Sequence, residues 1–401
     1  MTTRPGPPLV LLAALTAFVP LSIDAYLPAL PAIARGLAAD SAQVQLSLSI
    51  FLFGLCLGML AYGPLSDRYG RRPLLLGGIA LYLAATLLCM FAGSIQQLLA
   101  GRFLQALGGA ASAVLARAIV RDLFPLNQAA RTLSLMHMIT MGATLLAPIV
   151  GGLLMVLQGW RAIFLVLCVL GGACLLCTLA RLDETLPPER RSDSVLQAFR
   201  AYGHLLGEPL ALAYVGCNGL SLAGMFAFIT ASPFVYMDYF QVSPQVYSWL
   251  VGANIAGVIA LTLLNARLVP RTGPRTMIAA GAASTLVASA GLLFCGMTGL
   301  GGLPAIVAFV VLYVGSTGLF GANCIATLMA LYPGRAGAVA ALAVAGQFAL
   351  GALCSAWVGS LGDRTPAAMC QVMAATGLAC VFFHAMARRL ERKAGAQVVR
   401  E

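Results

Sequence analysis

Residues 43–94 read QVQLSLSIFLFGLCLGMLAYGPLSDRYGRRPLLLGGIALYLAATLLCMFAGS. The two apolar runs in this stretch, 43–63 and 74–94, are each long enough as helices to cross a hydrocarbon core of ~30 Å. Between them lies a short polar stretch holding Asp67, Arg68, Arg71 and Arg72, too charged to enter lipid. The pattern is a membrane hairpin, two helices joined by a basic turn. The rest of the chain repeats the same alternation.

Further apolar runs occur at 9–33, 97–118, 131–156, 161–180, 209–232, 244–266, 275–297, 303–328, 336–358 and 367–387, which makes twelve spans in all. Composition agrees, with 60% hydrophobic residues, only 9% charged and a mean hydropathy of +0.92. Soluble proteins carry about 25% charged residues, so a soluble fold is excluded. Pro20, Asp24 and Pro28 interrupt the first run, which is expected to be a retained helix and not a cleaved signal peptide.

The net charge of +11 is a matter of topology. Counting from a cytoplasmic start, the inside segments hold Arg4; Arg68, Arg71 and Arg72; Arg117, Arg121 and Arg131; Arg181, Arg190, Arg191 and Arg200; Arg267, Arg271 and Arg275; Arg335; and Arg388, Arg389, Arg392, Lys393 and Arg400. These are 20 of the 24 basic residues, with Arg35, Arg102, Arg161 and Arg364 elsewhere. The positive-inside rule then puts both termini in the cytoplasm, and the basic balance points to no nucleic-acid partner. Eleven cysteines all lie in apolar runs, including Cys174 and Cys177, and read as small apolar filler with no metal or redox role.

The longest polar stretch, containing DETLPPERRSD, separates the sixth span from the seventh. The expected domains are an amino-terminal half over 1–180, a cytoplasmic linker over 181–207 and a carboxy-terminal half with a short basic tail over 208–401. Two six-span halves are the plan of repeat-built transporters. One echo joins them: Gly63-Pro-Leu-Ser-Asp-Arg-Tyr-Gly-Arg-Arg72 after span two and Ala266-Arg-Leu-Val-Pro-Arg-Thr-Gly-Pro-Arg275 after span eight. In the first copy Gly63 is expected to let two helices approach, and Gly70 to make a tight reversal. Asp67 is placed to meet an Arg or the positive end of a helix.

Of thirteen acids, only Asp24 lies well inside an apolar run. An ionised Asp at a helix centre costs ~2.5–3.5 kcal/mol even on the lenient insertion scale. Asp24 must therefore face a wet cavity, meet a partner or hold a proton, which are the properties of a proton carrier. Two readings remain open: a titrating site, or a permanent pair with Arg102 that pins spans one and four. Arg102 shares a helical face with Gln105 and Gly109. The equivalent point of span ten, Leu303-Pro-Ala-Ile306, has no basic residue, so proton chemistry is expected in the amino-terminal half alone.

The chain resembles the major facilitator superfamily. Its signature is Gly63-x-Leu65-x-Asp67-Arg68-x-Gly70-Arg71-Arg72, joined by Arg102-x-x-Gln105-x-x-Gly108-Gly109 and by Gly159-Trp160-Arg161. Ala147-Pro148-x-x-Gly151-Gly152 resembles the antiporter motif, with Ala147 where the family has glycine. Ser22-Ile-Asp24-Ala-Tyr26-Leu27-Pro28-Ala-Leu-Pro31 and Ser232-Pro233-Phe234-Val235-Tyr236 resemble the Bcr/CflA exporters of bicyclomycin and of chloramphenicol and florfenicol.

The resemblance implies an all-α fold of twelve helices in a bacterial inner membrane, acting as a monomer. It implies that the Gly63–Arg72 loop, with Asp122, latches the cytoplasmic ends in one state, and that Arg102 tunes proton release from the membrane acid. Gly142 to Gly152, kinked at Pro148, would approach a neighbour and prevent leak.

In that fold spans seven and ten are central. Their mixed faces, Asn218, Ser221, Met225, Phe228 and Ser232, and Tyr313, Ser316, Thr317 and Phe320, are expected to line a cavity for amphipathic molecules with Asp24, Tyr26, Arg102 and Gln105. Asn254 and Gln347 suit either that wall or hydrogen bonds between helices. His137, alone among methionines, reads as a packing residue.

The expected function is proton-coupled export of drugs resembling chloramphenicol, florfenicol or bicyclomycin, with the proton as coupling ion and no cofactor. Transport of a natural metabolite in either direction is the alternative. A membrane enzyme would need a catalytic cluster, and neither HExxH nor Gly-x-Ser-x-Gly occurs. A passive channel or structural protein would not need Asp24.

Overall fold

A computed structural model describes residues 9–192, 194–361 and 365–398. Arg4, Asp193, Asp363, Arg364, Arg400 and Glu401, which enter the charge reading above, lie outside the described residues. Twelve helices among the described residues are long and apolar enough to cross a membrane. In order they are Leu9–Gly36, Ser41–Tyr69, Arg71–Met90, Ile95–Leu123, Arg131–Gln158, Arg161–Arg181, Pro209–Tyr239, Pro244–Thr272, Pro274–Thr298, Gly302–Leu331, Pro333–Ser360 and Pro366–Lys393, here spans one to twelve. A further amphipathic helix, Val195–Leu206, lies between spans six and seven.

The span ends follow local chemistry. Asp40 and Gln43 form a reciprocal capping box at the start of span two, with Gln43 N donating to Asp40 Oδ1 at 2.6 Å. Ser94 accepts from Gln97 N at the start of span four. Span two runs six residues past the expected end at Gly63, to Tyr69, because Pro64 still accepts helical φ and Asp67 meets Arg71 one turn on. The expected ten-residue loop is therefore nearly all helix, and Gly70, at φ 99°, turns the chain alone.

Two spans are broken. Span one consists of Leu9–Asp24, a short 3-10 turn at Leu27–Ala29 and a helix at Leu30–Gly36. Pro28 and Pro31 supply no backbone N–H, so the first helix has nothing to continue on. Span ten breaks at a 3-10 turn over Thr317–Leu319.

The chain forms two compact units, Met1–Val195 with Pro244–Gly252, and Leu196–Ser243 with Ala253–Glu401. In the first, span four packs against spans two and three, span one against span five, and span three against span six. Leu11, Leu15, Phe18, Ile79, Tyr82, Leu115 and Ile119 are buried in its core. Small residues set the contact: a Cβ on Gly54 would sit 2.8 Å from the Phe103 carbonyl oxygen, an approach that gives helices packing area where lipid provides no hydrophobic drive. In the second, span seven packs against spans eleven and twelve, and span nine against spans ten and twelve. Leu146, Leu153, Leu157, Val169 and Leu176 lie exposed on spans five and six, as side chains bathed in hydrocarbon do.

Candidate functional site: a buried charged network in the first unit

Asp24 ends the first helix of span one, and only 8% of it is exposed. Its position at the break explains how a carboxylate reaches mid-span without interrupting a regular helix. Gly151 of span five lies against the Ala25 carbonyl, and any Cβ there would collide with that backbone. The antiporter motif thus packs directly on the segment that holds Asp24.

Arg102 is fully buried in span four. Its guanidinium lies 4.0 Å from the Phe51 ring centre and 4.4 Å from that of Tyr26, a sandwich that stabilises a cation where water is excluded. Nη1 donates to the Ser22 carbonyl at 3.0 Å and to Gln105 Oε1 at 2.7 Å. Gln105 Nε2 donates to Thr86 Oγ1 at 2.9 Å, the Ser22 hydroxyl bonds Tyr82 at 2.7 Å, and the Tyr26 hydroxyl bonds Ser47 at 2.9 Å. Spans one to four are thereby tied by one polar network inside an apolar bundle.

Among the described residues no hydrogen bond or ion pair joins Arg102 to Asp24, and Arg102 Nε and Nη2 have no hydrogen-bond partner. The permanent Asp24–Arg102 pair is absent. Arg102 holds instead the backbone two residues before Asp24. The aromatic partners Tyr26 and Phe51 were missed as cation holders, since an aromatic residue in an apolar span gives no sequence signal of what stacks on it.

At one end of the unit the signature residues meet. Arg71 Nη1 pairs with Asp67 Oδ1 at 2.6 Å and donates to Ser66 Oγ at 2.6 Å, while Nε pairs with Asp122 Oδ2 at 3.0 Å. Thr185 also donates to Asp122 Oδ2 at 3.2 Å. Arg68 stacks on Tyr69 at 5.4 Å and Arg72 Nη2 donates to the Leu179 carbonyl at 3.3 Å. Gly63 does not make the expected close approach, because a Cβ there meets open space. The tight crossings lie earlier in span two, where Gly54 and Gly58 face span four.

Glu184, which the sequence reading passed over as a linker charge, organises this end. Its carboxylate accepts from the backbone N–H of Arg71 at 2.9 Å and of Arg72 at 3.2 Å, the first amides of span three, and from those of Thr185 and Leu186 at 3.0 Å. Burial pushes this carboxyl up, but the four amide donors outweigh it and hold Glu184 below the ordinary 4.5. At the other end of span three, Arg161 donates to the Met90 and Ala92 carbonyls, both at 3.1 Å. The first residue of span six therefore supplies a cation to the C-terminus of span three, and the segment that follows span six supplies an anion to its N-terminus, each matching the helix dipole.

In span five, Gly142 faces open space, so the close approach expected there is confined to Gly151 and Gly152. Gly152 lies under Ser248, whose hydroxyl is 2.9 Å from the Pro148 carbonyl.

The second unit holds neutral polar groups. Asn218 Oδ1 accepts from Gln347 Nε2 at 3.0 Å, and Ser221 donates to the Asn218 carbonyl at 2.8 Å. Met225 is half-buried, Phe228 packs edge-on to Tyr236 at 6.0 Å, and Asn254 is buried. Tyr313 and Phe320 depart from the expected lining. Tyr313 bonds Thr376 at 3.1 Å and fills the space left by Gly224, while Phe320 packs against Gly281. Thr317 donates to the Val314 carbonyl at 2.7 Å. A helical face read from spacing does not say which neighbour it meets, and the turn after Ser316 breaks the spacing.

Among the described residues, twelve apolar helices in two units, with an acid at a helix break and a buried cation nearby, define a polytopic membrane protein. A profile of the Major Facilitator Superfamily matches residues 12–354, and the chain belongs to that superfamily. It is 38% identical over 286 residues to the "Uncharacterized MFS-type transporter YdgK" of Bacillus subtilis, covering 71% of each chain. To the "Bicyclomycin resistance protein homolog" of Haemophilus influenzae it is 32% identical over 303 residues, covering 75% of this chain and 76% of the relative. To the "Multidrug resistance protein MdtL" of Escherichia coli it is 34% identical over 253 residues, covering 61% and 62%.

Among solved structures, a D-xylose-proton symporter superposes with a TM-score of 0.71 at 17% identity, over 94% of this chain and 96% of that one. A peptide transporter POT superposes at 0.74 and 15% identity, over 97% and 95%. These share the fold. The chain is thus a multi-pass transporter of the bacterial inner membrane and not an enzyme.

Proposed function

We propose that the protein exports small amphipathic drugs from the cytoplasm in exchange for protons, by alternating access, with both termini cytoplasmic. The observation that carries this reading is Asp24. It is the acid that lies deep inside an apolar run, it is buried at a break in span one, and among the described residues it has no ion pair to neutralise it. A carboxyl in that setting is stable when it holds a proton or meets water.

In the outward-facing state Asp24 takes a proton. In the inward-facing state it releases the proton as drug binds, so the two ligands compete. The membrane potential contributes ~2.3 kcal/mol per charge per 100 mV. Arg102, bonded to Ser22 in the same segment, adds positive charge that favours release. The cluster around Arg71 acts as the conformational latch, and Asn218, Ser221, Met225, Phe228, Asn254 and Gln347 contribute a neutral wall. The names of the relatives in Haemophilus and Escherichia support a drug of the bicyclomycin type, with chloramphenicol and florfenicol as further candidates.

The test is a resistance panel in a pump-deficient host together with energised everted vesicles. Drug accumulation inside the vesicles is expected for the wild type and its loss for Asp24→Asn. Drug-coupled proton flux that survived Asp24→Asn in proteoliposomes would remove Asp24 from the mechanism. Proton-driven release of substrate from the vesicles would favour the alternative of metabolite uptake.

A further inference from the structure

We propose that Cys217 and Cys380 are a thiol pair that hydroperoxides oxidise to a disulfide, a reversible staple between spans seven and twelve. Along the chain the cysteines read as apolar filler, but folding brings three of them together in the core of the second unit. Cys217 of span seven, Cys324 of span ten and Cys380 of span twelve are free thiols, fully buried or nearly so. The Sγ atoms of Cys217 and Cys380 lie 3.9 Å apart, and Cys380 Sγ donates to the Cys217 carbonyl at 3.2 Å. Cys324 also hydrogen-bonds the Cys217 thiol.

The two helices are close enough here for a bridge. The Phe383 ring of span twelve fills the place of a side chain at Gly216, where a Cβ would lie 2.6 Å from it. One residue on, the Cys380 sulfur rests on the backbone of span seven. A disulfide needs its sulfurs at ~2.05 Å. The remaining gap of about 2 Å is within the reach of rotation about the two χ1 bonds.

A route to the buried pair is also present. Tyr214, three residues before Cys217, and His384, four after Cys380, line a cavity of about 350 Å³ with Arg275, Glu391 and Arg392. Those spacings put each residue on the face of its helix that carries the cysteine. A small neutral oxidant in the cavity is therefore about one helical turn from both thiols. His384 lies near enough to Cys217 for their charges to interact. An imidazole there accepts the thiol proton, and the thiolate is the nucleophile.

The Cys217 thiolate attacks one oxygen of the peroxide, the O–O bond breaks, and a sulfenic acid forms as the other oxygen leaves in water. The Cys380 sulfur then attacks the Cys217 sulfur, the S–O bond breaks, and a second water leaves as the S–S bond forms. Both thiols together lose two electrons and two protons, and hydrogen peroxide is reduced to two waters. Asn218 follows Cys217 directly and accepts from Gln347, so the staple fixes the backbone that carries this pair.

The full chain, reduced and purified in neutral detergent, is exposed to hydrogen peroxide and digested for peptide mass mapping. A linked pair of peptides carrying Cys217 and Cys380 is expected, and dithiothreitol should separate it. The oxidised protein should unfold about 3–6 °C higher than the reduced one. Cys217→Ala and Cys380→Ala should each lose the link and the shift, and Cys354→Ala should keep both. His384→Gln should form the link about tenfold more slowly. The wild-type map decides the site without any variant. Cys217 and Cys380 left reduced while Cys174 and Cys177 had linked would overturn the pair. Cys217 oxidised past the sulfenic stage with no link would do the same. A Cys217–Cys324 link would overturn the choice of partner, and an unchanged rate in His384→Gln the role of the imidazole.

Discussion

Span three starts after Gly70 and span nine after Gly273, two turns of nearly the same geometry, yet the units finish them with different chemistry. Span three receives Glu184 at one end and Arg161 at the other, and beside it runs a network centred on the buried cation Arg102. Span nine has at its start an arginine whose partner binds the side chain and not the helix amides. Inside the second unit the polar pairs are neutral: Asn218 with Gln347, Thr285 with Ser316, Asn323 with Asn265. A charge inside a bilayer is costly and is held where it is used, whereas neutral pairs add only ~0.6 kcal/mol each on average. The difference teaches where each unit places buried charge: the first holds Asp24 and Arg102 in its interior, and the buried polar pairs named in the second are neutral.

The sharpest break of that comparison is Asp24→Asn against Asn218→Ala. Proton-coupled drug flux in proteoliposomes should fall to the protein-free background in the first variant. The second should change apparent drug affinity by about tenfold or less, the worth of roughly one hydrogen-bonded group, and leave coupling intact. Coupling lost equally in both would erase the division of labour.

Next in size is Gly151→Ala, whose added methyl meets the Ala25 backbone. Displacing a packed backbone costs about 1–3 kcal/mol, visible as a lower thermal midpoint and a slower exchange rate. Gly142→Ala, facing open space, should stay within about 0.5 kcal/mol of the wild type.

Glu184→Gln comes third, at about 1 kcal/mol after allowance for solvent screening of a mostly exposed group. Here pH gives the sign. Glu184 is held below the ordinary 4.5, so its contribution is present above that value and is lost as pH falls through the lower folded value. The midpoint gap between wild type and Glu184→Gln should be constant near neutral pH and close as pH falls below the ordinary 4.5. A gap that grew in acid would contradict the capping role. The smallest effect belongs to Glu391→Gln, below about 1 kcal/mol, because its partner Arg275 is 64% exposed. If Glu391→Gln proved as damaging as Glu184→Gln, the two turns would be equivalent after all.

Much of this was legible in the residues. Twelve spans follow from apolar runs whose length is dictated by bilayer thickness. Asp24 declared itself because no other acid stands deep in such a run, and Gly70 because its place between charged residues required a reversal. What escaped was partner choice. Glu184 sat in a polar linker and looked like any solvated charge, and Phe51 looked like any apolar residue. Tyr313 and Phe320 shared a helical face with Ser316 and Thr317, but that face turned into its own unit.

By itself, then, the chain determined how many times it crosses the membrane, where its one deep acid lies and which helix starts need a glycine. These are local matters of hydrophobic length, desolvation and backbone sterics. Only the tertiary structure decided that Arg102 stacks between Tyr26 and Phe51 without meeting Asp24, that Gly151 rests on Ala25, and that Glu184 and Arg161 bracket span three. Those outcomes depend on which helix faces which, and periodicity along one helix carries no record of its neighbour.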